Sequence, residues 1–181
     1  MAFWGNINSQ PKRQHRFALT FGKRSGQDQL PQWIVSTVTR PSMNIDVEEH
    51  QYLNHTFKFP GRAKWNNINV TMKDPLVPDA SKELFDILDA AGYAPPAKSP
   101  ADPSMKEAFT KKKFVETIGT IRIDTLNNKG EPIETWTLYN PMFVSVEWGQ
   151  FDYASEGLID LSVEIAYDYA TIEVNSANER T

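Results

Sequence analysis

The chain has 181 residues, 40% of them apolar and 23% charged, with a formal net charge of −4. That is enough for one domain around a single hydrophobic core, and the composition is that of a folded protein. The absence of cysteine excludes disulfides, thiolate metal sites and cysteine nucleophiles. No apolar run could span a bilayer, and MAFWGNINSQPKRQHR lacks the apolar centre of a secretory signal, so a cytosolic origin without a membrane partner is expected.

Charge is unevenly distributed. Residues 1–40 hold six cations against Asp28, whereas residues 131–181 hold ten acids against Arg180. Ends of opposite sign can attract each other within one copy or between copies.

Residues 1–14 read as a polar arm. Phe17, Leu19 and Phe21 alternate with polar or small residues as a strand, and GKRSG (22–26) reads as a turn. Trp33–Thr39 is β-branched and closed by Arg40-Pro41. Met43, Ile45 and Val47 alternate next, then His55, Phe57 and Phe59 up to a break at Pro60-Gly61, then Ile68, Val70 and Met72. Five short strands thus precede a helix over about 80–91, with Asp79 as N-cap, an apolar face of Leu84, Phe85, Ile87, Leu88 and Ala91, and Gly92 just past its end. A helix of this length needs a sheet to lie on.

Residues 93–113 carry four prolines and no sustained period, which predicts a long loop ending in Lys111, Lys112 and Lys113. Sheet is expected again over Phe114–Thr125, in a hairpin through Asn127–Gly130 to Ile133–Tyr139, and over Phe143–Trp148 after Asn140-Pro141. One long alternation closes the domain. Ile159, Leu161, Val163, Ile165, Tyr167 and Tyr169 share one parity, and Asp160, Ser162, Glu164, Ala166 and Asp168 the other, as in a strand with a core face and an acidic wet face. The domain is expected over 15–170, with a polar tail over 171–181.

Catalytic signals are missing. Glu48, Glu49, His50 and His55 form the only cluster with a metal flavour, and on a single strand positions 50 and 55 would point to opposite faces. GxSxG, GxxxxGK and a helix-opening GxGxxG do not occur. Asp160, Glu164 and Asp168, spaced by four, would stand about 13 Å apart along a strand, too far for paired-acid hydrolysis within it. Neither enzyme activity nor a cofactor is expected. A carbohydrate-binding or hydrolytic β-sandwich is the non-structural alternative, with Trp4, Trp33, Trp65, Trp136 or Trp148 as its platform. For Trp136 and Trp148, core packing is the expectation.

The order of elements resembles the tail tube protein family of contractile-tailed bacteriophages. The likeness rests on Gly61 and Arg62, Trp65, Val70, Thr71, Asp74, then Leu84, Phe85 and Leu88. It continues through Asn140-Pro141, Val146 and Trp148, the polar segment Phe151–Glu156, and the alternation up to Tyr167 and Tyr169. It covers roughly residues 40–92 and 114–170.

The resemblance implies a mainly β fold with one packed helix, a barrel or sandwich whose sheet continues between six copies in a ring. It implies rings stacked into a hollow tube inside a contractile sheath, with genomic DNA passing through. Asp160, Glu164 and Asp168 become candidates for the lumen. Arg16, Lys23, Arg24, Lys111, Lys112 and Lys113 become candidates for contacts with an adjacent ring or the sheath. The implied partners are further copies, the sheath protein, baseplate and tail-terminator proteins, and double-stranded DNA held without sequence preference. The implied location is the virion, with assembly in the host cytoplasm. A baseplate-proximal tube initiator or an injection-system tube protein fits the same order.

Overall fold

The computed structural model describes residues 11–22, 31–93, 109–154 and 156–175. Ten strands and two helices run in the order β1 (Phe17–Phe21), β2 (Val35–Val38), β3 (Met43–Tyr52), β4 (His55–Trp65), β5 (Ile68–Lys73), α1 (Ala80–Ala90), α2 (Lys111–Ile118), β6 (Ile121–Leu126), β7 (Pro132–Tyr139), β8 (Met142–Glu147), β9 (Asp160–Ala166) and β10 (Tyr169–Val174). A 3-10 turn, Gln32–Ile34, leads into β2.

Two antiparallel four-stranded sheets share the core. The first has the order β1-β6-β7-β10 and the second β2-β5-β9-β8; a separate ribbon pairs β3 with β4. The sheets are open, so within one copy the fold is a sandwich and not a closed barrel. Leu19, Ile121, Ile123 and Leu138 from the first sheet meet Ile68, Val70, Met72, Leu161, Val163 and Ile165 from the second. The predicted parity of the closing strand holds through β9: Leu161, Val163 and Ile165 are fully buried, and Asp160 and Glu164 sit on the opposite face.

Helix α1 starts as predicted, with the Asp79 carboxylate accepting from the Lys82 N–H at 2.9 Å. Helix α2 corrects the expectation of a single helix and of strand from Phe114. Thr110 caps it by accepting from the Lys113 N–H at 3.3 Å, and Phe114, Thr117 and Ile118 face the core at helical spacing. Gly119 ends it at φ 72, where a Cβ would also meet the Gly22 carbonyl at 3.0 Å, so no larger residue fits that turn.

Two further boundaries differ from expectation. Residues 171–174, read as tail, continue β10 because Thr171, Ile172, Glu173 and Val174 pair with Thr137, Trp136, Thr135 and Glu134 of β7. The long alternating strand is two strands, broken at Tyr167-Asp168, so that β9 lies in one sheet and β10 in the other.

The buried face of β9 gives a direct test. Ile165→Asp would place an unpaired carboxylate between the sheets and should abolish soluble folding; a soluble variant with the parent circular dichroism spectrum would show the parity to be wrong.

Candidate functional site

The break at Tyr167-Asp168 is half of a folded ribbon. Strand β7 pairs with β10 and β8 pairs with β9, so two antiparallel chains run through one sheet, bend together and enter the other. Asn140, at φ 54, turns one chain, and Asp168 secures the other. The Asp168 N–H donates to the Tyr139 carbonyl at 3.1 Å, and its carboxylate accepts from Asn140 Nδ2 at 2.7 Å and from Lys111 Nζ at 2.7 and 2.6 Å. Tyr139 and Tyr169 stack beside it with ring centroids 4.6 Å apart.

This arrangement joins residues to which sequence assigned separate roles. Asp168, expected on the acidic row, and Lys111, expected as an outward contact, form an ion pair within one copy. The hydrogen bonds from Lys111 and Asn140 hold the Asp168 pKa below the usual carboxylate range. Lys112 lies within 3.8 Å of Glu116, Arg16 accepts the Leu126 N–H at 3.0 Å through its carbonyl, and Lys23 and Arg24 lie outside the described residues.

The outer face of the β2-β5-β9-β8 sheet is wet and mainly anionic or hydroxylic. Register places Thr37, Thr71, Ser162 and Glu147 in one row and Asn69, Glu164 and Ser145 in the next. Glu164 accepts from Asn67 Nδ2 at 2.8 Å. Lys73 is the one cation the register places on this face among the described residues, and it is paired with Asp160 at 2.6 Å. Among the described residues, neither edge of this sheet, β2 or β8, has a further strand neighbour.

The β3–β4 ribbon stands off the core. Its two strands have 10 and 11 residues, every one exposed except the half-buried Trp65, which lies 5.9 Å from Tyr167 between ring centroids. The register shifts between Ile45 and Val47, where Asp46 faces both Gly61 and Arg62. This bulge explains why Pro60-Gly61 is not a break, and a Cβ at Gly61 would meet the Asp46 carbonyl at 3.0 Å. It also inverts β4 relative to β3. Near the core Met43, Ile45 and Val47 share a face with Trp65, Ala63 and Pro60, while beyond the bulge Phe57 and Phe59 share the opposite face with His50 and Tyr52. Histidines 50 and 55 therefore fall on one face of a two-stranded ribbon, a correction to the single-strand reading; among the described residues no metal-ligating cluster forms. At the tip Leu53 is 85% exposed at φ 53, a conformation that costs a branched apolar residue energy.

The tryptophans are dispersed. Trp136 packs against the core with its Nε1 donating to Glu134 at 2.7 Å, as expected. Trp148 corrects the expectation of core packing, being 42% exposed at the end of edge strand β8. Trp33 is 68% exposed on the turn before β2. Trp4 lies outside the described residues. Glu134 is buried and is the anchor that sequence missed: it ion pairs with Lys12, assigned to the polar arm, and with Arg40. Burial alone would raise its pKa, but bonds from Lys12 and Trp136 and the charge of Arg40 lower it overall. Alternation marked Glu134 only as one residue of a strand, so nothing local distinguished it.

Open sheet edges, an unburied ribbon and a wet anionic face are the features of a subunit that completes itself against other copies. The family described as T4-like virus tail tube protein gp19 matches residues 13–171. The chain belongs to that family. It is a structural tail tube subunit, and the family places it in the virion tail.

Solved tube proteins share the fold of this tail tube protein. A chain from the cap that terminates the anti-feeding prophage tube superposes with a TM-score of 0.66 at 21% identity, covering 97% of this chain and 100% of that one. A chain from the extended sheath–tube complex of an extracellular contractile injection system (PVC) gives 0.65 at 18%, covering 91% and 93%. The SPP1 tail tube gives 0.53 at 14%, covering 93% and 84%. A comparison with curated protein sequences finds no match.

The ion pair at the ribbon fold makes stability depend on pH. Because the folded-state pKa of Asp168 is lowered, its contribution is complete above the ordinary carboxylate range and is lost as pH falls through the depressed value. Asp168→Asn should melt a few degrees below the parent at pH 7, and the two melting curves should converge in strong acid. A gap that persists unchanged at the lowest pH would assign the effect to packing instead.

Proposed function

We propose that copies of this subunit close into six-membered rings by continuing the β2-β5-β9-β8 sheet from β8 of one copy to β2 of the next, and that its acidic outer face becomes the lumen. The observation that carries this reading is the combination on one sheet of two open edges and a wet face on which the one cation is already paired. A six-fold symmetrised structure of the anti-feeding prophage baseplate contains a chain of the same fold. Four strands per copy then make a barrel of twenty-four. At a strand spacing of about 4.8 Å its wall is about 37 Å across before tilt widens it, and barrels of this size leave an open channel. Closure removes every free edge of the sheet.

In this channel Asp160, Glu164 and Glu147 face the cargo, with Thr71, Ser145 and Ser162 between them. Asp168 stands apart, engaged at the ribbon fold. A DNA duplex, with one negative charge per ~1.7 Å of axis, finds among the described residues of this face no free cation to exchange for its counterions and slides. The subunit is a conduit and performs no catalytic step. The β3–β4 ribbon reaches adjacent rings, where each phenylalanine it buries contributes roughly 1.5–3 kcal/mol. Lys111 is held by Asp168, and Arg16, Lys23, Arg24, Lys112 and Lys113 are the proposed contacts with the sheath or the next ring. Assembly takes place in the host cytoplasm, with sheath, baseplate and terminator proteins as partners.

Negative-stain micrographs of the concentrated protein should show rings or tubes with a central hole; a compact monomer at every concentration would refute the reading. Phe57→Ala with Phe59→Ala should leave the monomer's melting unchanged, because both side chains are exposed, while abolishing tubes. Tubes of parent length would exclude the ribbon from stacking. Glu147→Lys with Glu164→Lys should leave tubes intact and make them retain labelled duplex DNA at low salt, as parent tubes do not. Equal retention would place another face in the lumen.

A further inference from the structure

An aromatic cleft beside β8 opens outward from the core residues Phe114 and Phe143 and is not used by the proposed lumen. Phe85 and Leu88 of α1, Phe114 of α2, Val146 and Trp148 at the end of β8, and Phe109 line a volume of about 670 Å³. Its rings form a ladder. Centroids lie 5.8 Å apart from Phe85 to Tyr93, 6.3 Å from Tyr93 to Phe109 and 5.4 Å from Phe109 to Phe114. Phe109 is half exposed at its rim. A cleft of this size and lining takes a ring-bearing group, and among the described residues the exposed Phe109 and Trp148 leave the site open on that side.

A group of that kind sits at the opposite edge of the same sheet. Ile34 is fully buried and anchors the 3-10 turn before β2, while its neighbour Trp33 points outward. The register sets the two features at one level. Val35 pairs with Met72 and Met72 with Leu161; Ser162 pairs with Glu147, so Trp148 falls beside Leu161 and level with Val35. Each pairing in the sheet is antiparallel, so β2 and β8 run in opposite directions and joining β8 to the next copy's β2 continues the alternation. Closure staggers the strands, but if the four residues of β2 pair within the six of β8, the segment before β2 runs past the end of β8 and Trp33 falls opposite Trp148 or a residue next to it.

We infer that Trp33 of one copy seats in the aromatic cleft between α1, α2 and β8 of the next copy, locking the seam between neighbours in the ring. The inference rests on the ring closure proposed above and adds to it a specific knob and socket, of the kind in which a buried tryptophan dominates an interface. The socket is built on Phe143 and Val146 of β8 and touches Ser145 at its border, but none of the acidic residues of the outer face lines it, so lumen charge and seam packing can be altered separately.

The test uses the full chain and reads the lowest concentration at which rings form. Trp33→Ala removes an exposed side chain and Phe109→Ala a half-exposed one, and each should raise that concentration about tenfold while leaving the monomer's far-ultraviolet circular dichroism unchanged. Trp33→Phe should stay within about threefold of the parent. The double variant should resemble either single one, because residues in contact lose their interaction once; effects that multiply to about a hundredfold would overturn the inference. In a chain without other thiols, Gln32→Cys with Gln150→Cys, both exposed, should let a short thiol-specific cross-linker produce a ladder of linked copies. Rings without a ladder, or links only within single copies, would overturn the inference and leave the ring reading standing. A parent that never forms rings would overturn both.

Discussion

The constraint on which the rest of the architecture depends is the folding-over of one two-stranded ribbon from sheet to sheet. At that bend the backbone of two chains must leave one ladder and enter another, and buried N–H and C=O groups cannot be left unpaired. Asp168 meets the need with a backbone bond to Tyr139 and a carboxylate shared by Asn140 and Lys111. Lys111 stands at the N-terminus of α2, where the helix dipole disfavours a cation. Its bond to Asp168 offsets that cost and ties the helix to the bend. With the ribbon folded there, β8 and β9 complete one sheet and β7 and β10 the other.

Among the described residues that division leaves each sheet with free edges, and the copy is only partly self-sufficient. The core between the sheets is closed, yet a 21-residue stretch of paired strand stands in water with apolar side chains on both faces. An isolated hairpin is marginal in water. Membership of a tail tube family resolves the imbalance, because surfaces wasteful in a monomer are covered in a polymer.

Much of this was legible in the sequence where local chemistry and final structure agree. Alternation located β1, β5, β7 and β9, and Asp79 with Gly92 bracketed α1. Helix α2 was hidden because FVETIGTIRID satisfies a strand pattern through Ile121, while Thr110 and Gly119, its cap and its stop, were the overlooked signals. The bend at Tyr167-Asp168 left parity undisturbed on both sides, so one strand and two read alike. Which strands pair is a long-range matter, and with it went the partnership of Asp168 with Lys111 and the burial of Glu134. Acidic residues on the outer face of β9 were visible from parity alone; the loss of Asp168 from that row required the fold.

The bulge at Gly61 also bears on timing. By turning β4 over midway, it separates Met43, Ile45 and Val47 from Phe57 and Phe59 and aims the two groups in opposite directions. One neighbour can dry only one of them. In a tube stacked as proposed, two free subunits that collide would therefore recover a fraction of the burial, while a subunit entering between neighbours already in place would recover more. Such an inequality makes nucleation slow and elongation fast, and it lets the point at which a tube begins be chosen by whatever first presents a completed rim.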